Sequence, residues 1–488
     1  MAKRTAVIDL GSNSVRMVVF EKTSRFGFHL IKEVKSRVRL GEGAYERGGR
    51  LQEKSIQEAF EALESFHRIA TNLHCTKVLC VATSALRDAP NASDFTSKVR
   101  KVLGFCVRII DGHTEARYGG MAAVNLLPFL EEATTVDIGG GSTELAKIVK
   151  GKIVDTVSLN IGTVRLKELF FDTKQARNVV EAFLETALKD LPEHFSSPCV
   201  VGIGGTLRAL SNAIMEKELY PLKTVHGFSY DVAQHQPWID TIGRQSILDL
   251  KPYGFKKDRI DTIREGCTIF SKLLTHLGAS NVLTSGAGVR EGVFLSDLLA
   301  SHQGVFPKNF NPSLKSLTDR FSPNPKDDAH VAKTALALFD ALATLHKIDG
   351  AYKVELSISA KLHSVGSSLS VYQEHLHSFY FILNNLNFGF SHEQKMLIAL
   401  LIKYHTKKLP NYEDFGAYGA LLPEANTVNW LSFILAFAKC LNTDLSKTPV
   451  TFSYENHTLH VKSGNSMRLA KEAIKKLIKP ASFAIAFR

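Results

Sequence analysis

The stretch Ala6-Val7-Ile8-Asp9-Leu10-Gly11-Ser12-Asn13-Ser14 returns 128 residues further on as Thr134-Thr135-Val136-Asp137-Ile138-Gly139-Gly140-Gly141-Ser142. Asp9 matches Asp137, Gly11 matches Gly139 and Ser14 matches Ser142, all at one offset. Each copy is an apolar run, then Asp-x-Gly-x-x-Ser, then a second strand; after the first copy that strand is Met17-Val18-Val19-Phe20. A repeat of about domain size at a fixed offset implies two similar α/β halves that face each other.

Outward from the first copy, Ile56, Phe60, Leu63 and Phe66 fall at helical spacing and predict a helix from about Glu53 to Leu73. Lys77-Val78-Leu79-Cys80-Val81-Ala82 reads as a buried strand, Phe95 to Leu103 as a helix, and Val107-Arg108-Ile109-Ile110 as a closing strand. Strands alternating with helices give an α/β layer architecture. The first half is expected over residues 1–125 and the second over 126–300, the latter including the runs Val200–Thr206 and Val282–Gly288. Pro307, Pro312, Pro323 and Pro325 among Asn, Ser and Lys predict a linker over 301–327. A helical domain is expected over 328–445, with Val331, Ala335, Leu338, Phe339 and Leu342 as its stripe. Residues 446–488 read as a small α+β domain, with strands around Glu455-Asn456-His457 and a basic helix carrying Lys471, Lys475, Lys476 and Lys479.

The chain has 488 residues, 44% hydrophobic and 22% charged, which suits roughly three folded domains and excludes wholesale disorder. With 60 Lys+Arg against 48 Asp+Glu the net charge is +12, which suits a phosphate-rich partner but also simply keeps a large protein dispersed. The six cysteines form no C-x-x-C pair, and their sparsity fits a reducing cytoplasm. The start, Met1-Ala2-Lys3-Arg4, leads into a strand too short for a signal-peptide core. Trp430 to Leu441 is far below a membrane span, so a soluble cytoplasmic protein is expected.

In each repeated turn the glycines let the backbone close tightly and present N–H donors in a concave nest, an arrangement that holds phosphate oxygens. Ser14 and Ser142 add hydroxyls. Hydrogen bonds to a charged oxygen contribute about 1.5–3 kcal/mol each, so two such loops grip a phosphate chain firmly. Asp9 and Asp137, at the strand ends, suit Mg²⁺ directly or through its waters. One copy alone reads as well as a plain β-turn capped by its Asp; two in register favour opposed phosphate loops.

Four further places carry chemistry. Glu115 follows a strand and opens a helix, where it serves either as a base for attacking water or only to complement the helix dipole, worth about 0.3–1 kcal/mol. Glu144, two residues past Ser142, either orders water or metal or faces outward from its strand. Arg87 ends a buried strand segment, where its fork clamps phosphate oxygens or stays solvated. Gly202-Ile203-Gly204-Gly205-Thr206 offers an anion site at a helix start, a common kind of turn.

The duplicated loops resemble the actin/sugar-kinase/Hsp70 superfamily. The particular strings resemble its exopolyphosphatase and guanosine pentaphosphate phosphohydrolase (Ppx/GppA) family. They are Asp9–Arg16, Val38-Arg39-Leu40-Gly41-Glu42-Gly43, Ala82–Arg87, Glu115-Ala116-Arg117, Asp137–Leu145 and Gly202–Thr206. Val225-His226-Gly227, Asp258-Arg259-Ile260-Asp261 and Gly288-Val289-Arg290-Glu291-Gly292 complete them, so the likeness spans residues 5–295. It implies two actin-like (ribonuclease H-like) α/β domains with a cleft between them, then an all-α HD-like domain and a small α+β domain. It implies hydrolysis of a terminal phosphoanhydride of inorganic polyphosphate, guanosine pentaphosphate or both, assisted by Mg²⁺.

By position, the resemblance makes Glu115 the catalytic base and Glu144 a supporting acid, with Asp137, Asp9 and Glu144 on the metal side. Gly11, Ser12, Asn13, Ser14, Arg16, Arg87, Gly139, Gly140, Gly141, Ser142, Gly204, Gly205 and Thr206 become phosphate binders. The HD-like region has His363-Ser364 where a His-Asp step is expected, and Lys439 where a ligand carboxylate would sit. No metal or catalysis is expected there despite His363, His375, His377 and His405; binding or homodimerisation is. An actin-like ATPase, kinase or filament protein shares the loops, but Glu115-Ala116-Arg117 and Val225-His226-Gly227 argue against it. No basic-aromatic interleaving suggests a specific nucleic acid.

Overall fold

In the computed structural model, which describes residues 3–44, 48–257 and 259–488, both copies of the repeated motif close as β-hairpins. Met1, Ala2 and Asp258, named above, lie outside the described residues. The chain divides into two compact units, Met1–Phe310 and Asn311–Arg488.

In the first unit, β1 (Arg4–Leu10) and β2 (Val15–Lys22) pair antiparallel with Asp9 opposite Arg16, and β3 (Phe28–Ser36) extends the meander. Then come α1 (Glu53–Asn72), β4 (Lys77–Ala82), α2 (Ser84–Arg87), α3 (Ala92–Leu103), β5 (Val107–Ile109) and α4 (Gly112–Leu126). The sheet order is β3-β2-β1-β4-β5, with β4 parallel to both β1 and β5. The second hairpin is β6 (Glu132–Ile138) and β7 (Thr143–Val149), with Asp137 opposite Glu144, extended by β8 (Lys152–Leu159). Helices α5 (Thr163–Leu166) and α6 (Arg177–Leu188) precede β9 (Cys199–Ile203) and α7 (Gly204–Lys217). The rest is β10 (Ser229–Asp231), α8 (Val232–Arg244), α9 (Ile263–Leu277), β11 (Asn281–Thr284) and α10 (Val289–Leu298). This sheet runs β10-β11-β9-β6-β7-β8, so from β8 inward it repeats the first sheet and adds β10 at the edge. The duplicated sequence is a duplicated topology. Both turns close alike, Gly11 N donating to Ser14 O at 3.2 Å and Gly139 N to Ser142 O at 2.9 Å.

Period-two alternation decides where the aspartates point. Ala6, Ile8 and Leu10 face a core with Leu63, Phe66 and Phe95, and Val136 and Ile138 face one with Leu207 and Phe270. Asp9 and Asp137 therefore lie on the opposite face of each sheet. That face is covered crosswise. Helix α4, from the end of the first half, packs on the second sheet: Ala123 and Leu127 share a core with Ile148 and Val201, and His113 Nδ1 bonds Thr156 O at 2.7 Å. Helix α10, from the end of the second half, packs on the first: Phe294 stacks on Phe20 at 4.3 Å, and Arg290 pairs with Glu33 at 2.8 Å. The cut expected at 125/126 thus separates α4 from the sheet it covers, and the 126–300 stretch contains a helix of the first layer.

The second unit is described by itself. Residues expected as a linker are structured: α11 (Pro312–Phe321) begins with Asn311 accepting from Leu314 N at 2.8 Å, and α12 (Pro325–Ala341) also begins on a proline. Pro at the first helical position needs no N–H partner, so these prolines start helices rather than break them. Next are α13 (Ala343–His346), α14 (Lys353–Leu362), α15 (Glu374–Asn385), α16 (His392–Lys403), α17 (Tyr412–Tyr418) and α18 (Ala425–Leu441). Helix α18 is buried around Trp430, Phe433 and Phe437; no helix among the described residues is long and apolar enough to cross a membrane. The end of the chain forms a sheet β12-β13-β14 from β12 (Val450–Glu455), β13 (Thr458–Ser463) and β14 (Ala484–Phe487), with α19 (Arg468–Ile474) between the last two. Phe483 stacks on Trp430 at 5.9 Å, so this small sheet shares the helical core. The expected basic helix ends at Ile474 and keeps only Lys471 of its four lysines.

Candidate active site

The two hairpin turns face each other across a cavity of about 140 Å³. A Cβ on Gly140 would stand 2.9 Å from the Ser12 Cβ, so the loops touch at their tips and leave space behind them. Gly11, Ser12, Asn13, Ser14 and Arg16 line one side, and Gly139, Gly140, Ser142, Gly204, Gly205 and Thr206 the other. The string around Leu40 props the first loop: Gly41 N donates to Ser12 O at 2.8 Å and Arg39 N to Asn13 O at 3.1 Å.

Helix α7 opens into this cavity with Ile203 as its N-cap, which offers no side-chain partner to the first amides. The first N–H groups of a helix have no intrahelical partner, and a start like this suits an anion. Gly204 has φ +85, and a Cβ there would fall 2.2 Å from Asp137 Oδ1, so the turn and the carboxylate both require glycine.

Glu115 sits on the cavity wall. The N-cap of α4 is Asp111, whose carboxylate accepts from Thr114 N at 2.6 Å, while Glu115 stands in the first turn and faces the cavity. Arg87 Nη1 donates to Glu115 Oε2 at 3.0 Å and to Ile110 O at 3.1 Å, and Nη2 donates to Ser142 Oγ at 3.3 Å. The Arg87 fork is thus neither solvated nor on the wall; it braces Glu115 against the second loop. Glu144 is buried, not outward-facing: its Oε1 accepts from Ser158 Oγ at 2.9 Å and lies 4.0 Å from Arg87. Gly141 also leaves the wall, its carbonyl accepting from Arg165 Nε at 2.8 Å.

Burial raises every carboxyl here. The Glu115 pKa is pushed well up by desolvation and then by the Glu144 charge, with Arg87 pulling the other way. Burial takes Glu144 to about 7 against hydrogen bonds from Ser142 and Ser158, and Asp137 to about 6 against the Arg208 charge. Burial also raises Asp9, opposed by Arg290 and Arg16. The surrounding cations carry the mirror stress: burial, then Arg290, Arg208 and Arg259, lowers Arg16 to about 10.

A divalent cation fits the pair Asp9 and Asp137. Asp9 Oδ1 is buried with no hydrogen-bond partner, an orphan that a cation would satisfy. Among the described residues no three His, Cys, Asp or Glu side chains form a ready cage, so phosphate oxygens and water would complete the shell, as is usual for Mg²⁺. The expected third ligand, Glu144, accepts from Ser158 through Oε1 and is not among the residues lining the cavity.

The residues alone had not singled out Lys35, Arg208, Arg259 and Arg290, which line the cavity with Arg16. Five cations thus stand against Asp9, Glu115 and Asp137 in the lining, a balance that attracts anions. Arg259 and Arg290 stood inside strings already quoted; Arg208, one turn into α7, had no such signal. His226, also in a quoted string, is structural: its Nδ1 accepts from Gly286 N at 3.0 Å and its Nε2 donates to Leu126 O at 2.8 Å.

Known proteins resemble this chain in sequence and fold. A curated guanosine-5'-triphosphate,3'-diphosphate pyrophosphatase of Pseudoalteromonas translucida (strain TAC 125) is 29% identical over 431 residues, 85% of this chain and 84% of that protein. The crystal structure of the Aquifex aeolicus Ppx/GppA family member is 32% identical, with TM-score 0.53, over 62% of this chain and 99% of that one. An exopolyphosphatase from Cytophaga hutchinsonii ATCC 33406, 22% identical over 62% of this chain and 99% of its own, has TM-score 0.56 and supports the actin-like α/β fold alone. The Ppx/GppA phosphatase family profile matches residues 18–301, and the profile of that family's domain III matches 311–474. This chain, with its twin hairpins and the cleft between them, belongs to the Ppx/GppA phosphatase family.

Proposed function

We propose that the cleft hydrolyses the terminal phosphoanhydride of inorganic polyphosphate, of guanosine pentaphosphate, or of both. The observation that carries this reading is the pair of facing phosphate loops with Glu115 on the wall between them. The loop amides, Ser14, Ser142 and the α7 N-terminus hold the terminal phosphates, and Arg16, Arg208, Arg259 and Arg290 hold the chain behind them. Glu115 takes a proton from water as the water oxygen bonds to the terminal phosphorus. The bridging P–O bond breaks, releasing phosphate and a substrate shorter by one phosphate. Arg87 positions Glu115, and Glu144 keeps the local charge that tunes it. Mg²⁺ held by Asp9 and Asp137 would neutralise phosphoryl oxygens.

The name of the Pseudoalteromonas relative supports guanosine pentaphosphate as the second substrate. The helical unit is read as an HD-like binding or dimerisation module of a cytoplasmic homodimer. Phosphate release is to be measured side by side on polyphosphate, guanosine pentaphosphate and ATP, with and without Mg²⁺. Mg²⁺-dependent release from either of the first two is expected. Cleavage of ATP alone would instead favour an actin-like ATPase, kinase or filament protein.

A further inference from the structure

The unit Asn311–Arg488 contains a second cavity, of about 890 Å³, lined only by residues of that unit. This is within the range of small-molecule sites. Its floor is built from helix ends: His363 follows α14, His405 lies just past α16, and Lys439 is in the last turn of α18. Both imidazoles are buried and each donates Nδ1–H to a carbonyl, His363 to Ala360 O at 2.7 Å and His405 to Ile402 O. Each Nε2 is left as an acceptor. Two such rings beside Asp328 make the beginnings of a metal site. A metal does not fit, because Lys439 Nζ donates to His405 Nε2 at 2.9 Å and also pairs with Glu374.

An ammonium in place of a metal ion changes what the cavity accepts. Its acids are already engaged. Asp328 accepts from the hydroxyls of Ser322 at 2.5 Å and Ser364 at 2.8 Å, Asp327 pairs with Lys447 at 2.8 Å, and Glu374 pairs with Lys439. Lys439 carries three N–H bonds and these partners use two, which leaves one for an incoming oxygen. Lys407 and Lys408 line the same cavity, are exposed, and enter no ion pair among the described residues. The opposite character comes from Val331, Leu445, Ala473 and Leu477, which give an apolar wall. A cationic floor and rim facing an apolar wall match a molecule with an anionic end and a flat, weakly polar end.

We propose that this cavity binds a nucleoside phosphate, its phosphate held by Lys407, Lys408 and Lys439 and its base laid against Val331, Leu445 and Leu477. The site is independent of the hydrolytic reading of the hairpin cleft.

Lysine footprinting of the full chain tests it. Adenosine 5′-monophosphate is added, lysines are reductively methylated, and labelling is read by peptide mass spectrometry. Labelling of Lys407 and Lys408 is expected to fall several-fold, with adenosine and inorganic phosphate each about tenfold less effective, because each supplies one end only. Lys439→Met is expected to raise the nucleotide concentration needed by about ten- to a hundredfold, the loss of one charge-assisted hydrogen bond, with nucleotide-free phosphate release from polyphosphate unchanged. Leu477→Trp, which adds bulk to the apolar wall where the base would lie without altering charge, is expected to remove protection at the wild-type nucleotide concentration and serves if Lys439→Met does not fold. The proposal is overturned by absence of protection, by protection confined to Lys35 in the hairpin cleft, by phosphate alone protecting equally well, or by a folded variant that is protected at the same nucleotide concentration as the wild type.

Discussion

In the metal-free protein, Glu144→Gln removes a carboxyl that the fold itself disfavours in its charged form. The side chain is 2% exposed, and burial moves it from 4.5 to about 7 despite the hydroxyls of Ser142 and Ser158. Because the folded value lies above the unfolded one, this group's stabilising contribution is complete below about pH 4.5 and is lost as pH rises through about 7. Each tenfold change in proton affinity is about 1.4 kcal/mol, so the ionised group opposes folding by up to about 3 kcal/mol at alkaline pH. Gln keeps an oxygen to accept from Ser158 and never ionises. The variant should match the wild type near pH 4.5 and exceed it by up to about 3 kcal/mol near pH 8.5, while losing turnover. Urea denaturation in chelator at both pH values reads this from the midpoints, provided the slopes agree. A difference of the same size at both pH values, or a variant less stable at the higher one, would refute the reasoning.

Glu115→Gln should bind substrate normally and lose about 10²–10⁴-fold in kcat; near-normal turnover in steady-state assays removes Glu115 as the base. Arg87→Ala deletes the charge that pulls Glu115 down, so the acidic limb of the pH–rate profile should move to higher pH; a limb that stays put argues that Arg87 does not tune the base. Gly140→Ala places a methyl 2.9 Å from the Ser12 Cβ and should lower kcat/KM by about tenfold or more with little change in melting temperature; wild-type kinetics would mean that the loop spacing does not matter. Turnover on long-chain polyphosphate should fall steeply between low and high salt, and a flat response counts against Arg16, Arg208, Arg259 and Arg290 steering the chain.

Much of the hydrolytic cleft was legible because a repeat with glycines at fixed places constrains backbone, and backbone is what those loops use. The hairpins, the facing of Asp9 and Asp137, and the α7 entrance all follow from strand period and turn chemistry. Side-chain partnerships were not legible. Nothing in the string around Arg87 says that its fork is held by Glu115 and Ser142, or that Glu144 turns to Ser158, because those partners are far apart in sequence. The prolines near 312 and 325 misled for a related reason: one residue type serves both to end and to begin a helix, and the decision lies with Asn311 and its capping bond. The crosswise packing of α4 and α10 leaves no trace in local periodicity, since either sheet would accept an amphipathic helix.

That exchange of helices makes the two sheets interdependent for folding. A fragment ending just after α4, near residue 127, would lack α10 and leave Phe20 and Phe28 bare, and a fragment beginning there would lack α4 and leave Ile148 and Val201 bare. Neither piece should be soluble by itself, yet the two co-expressed carry complementary missing layers and should reassemble. A nick in the backbone between the halves would therefore be tolerated where removal of either half would not.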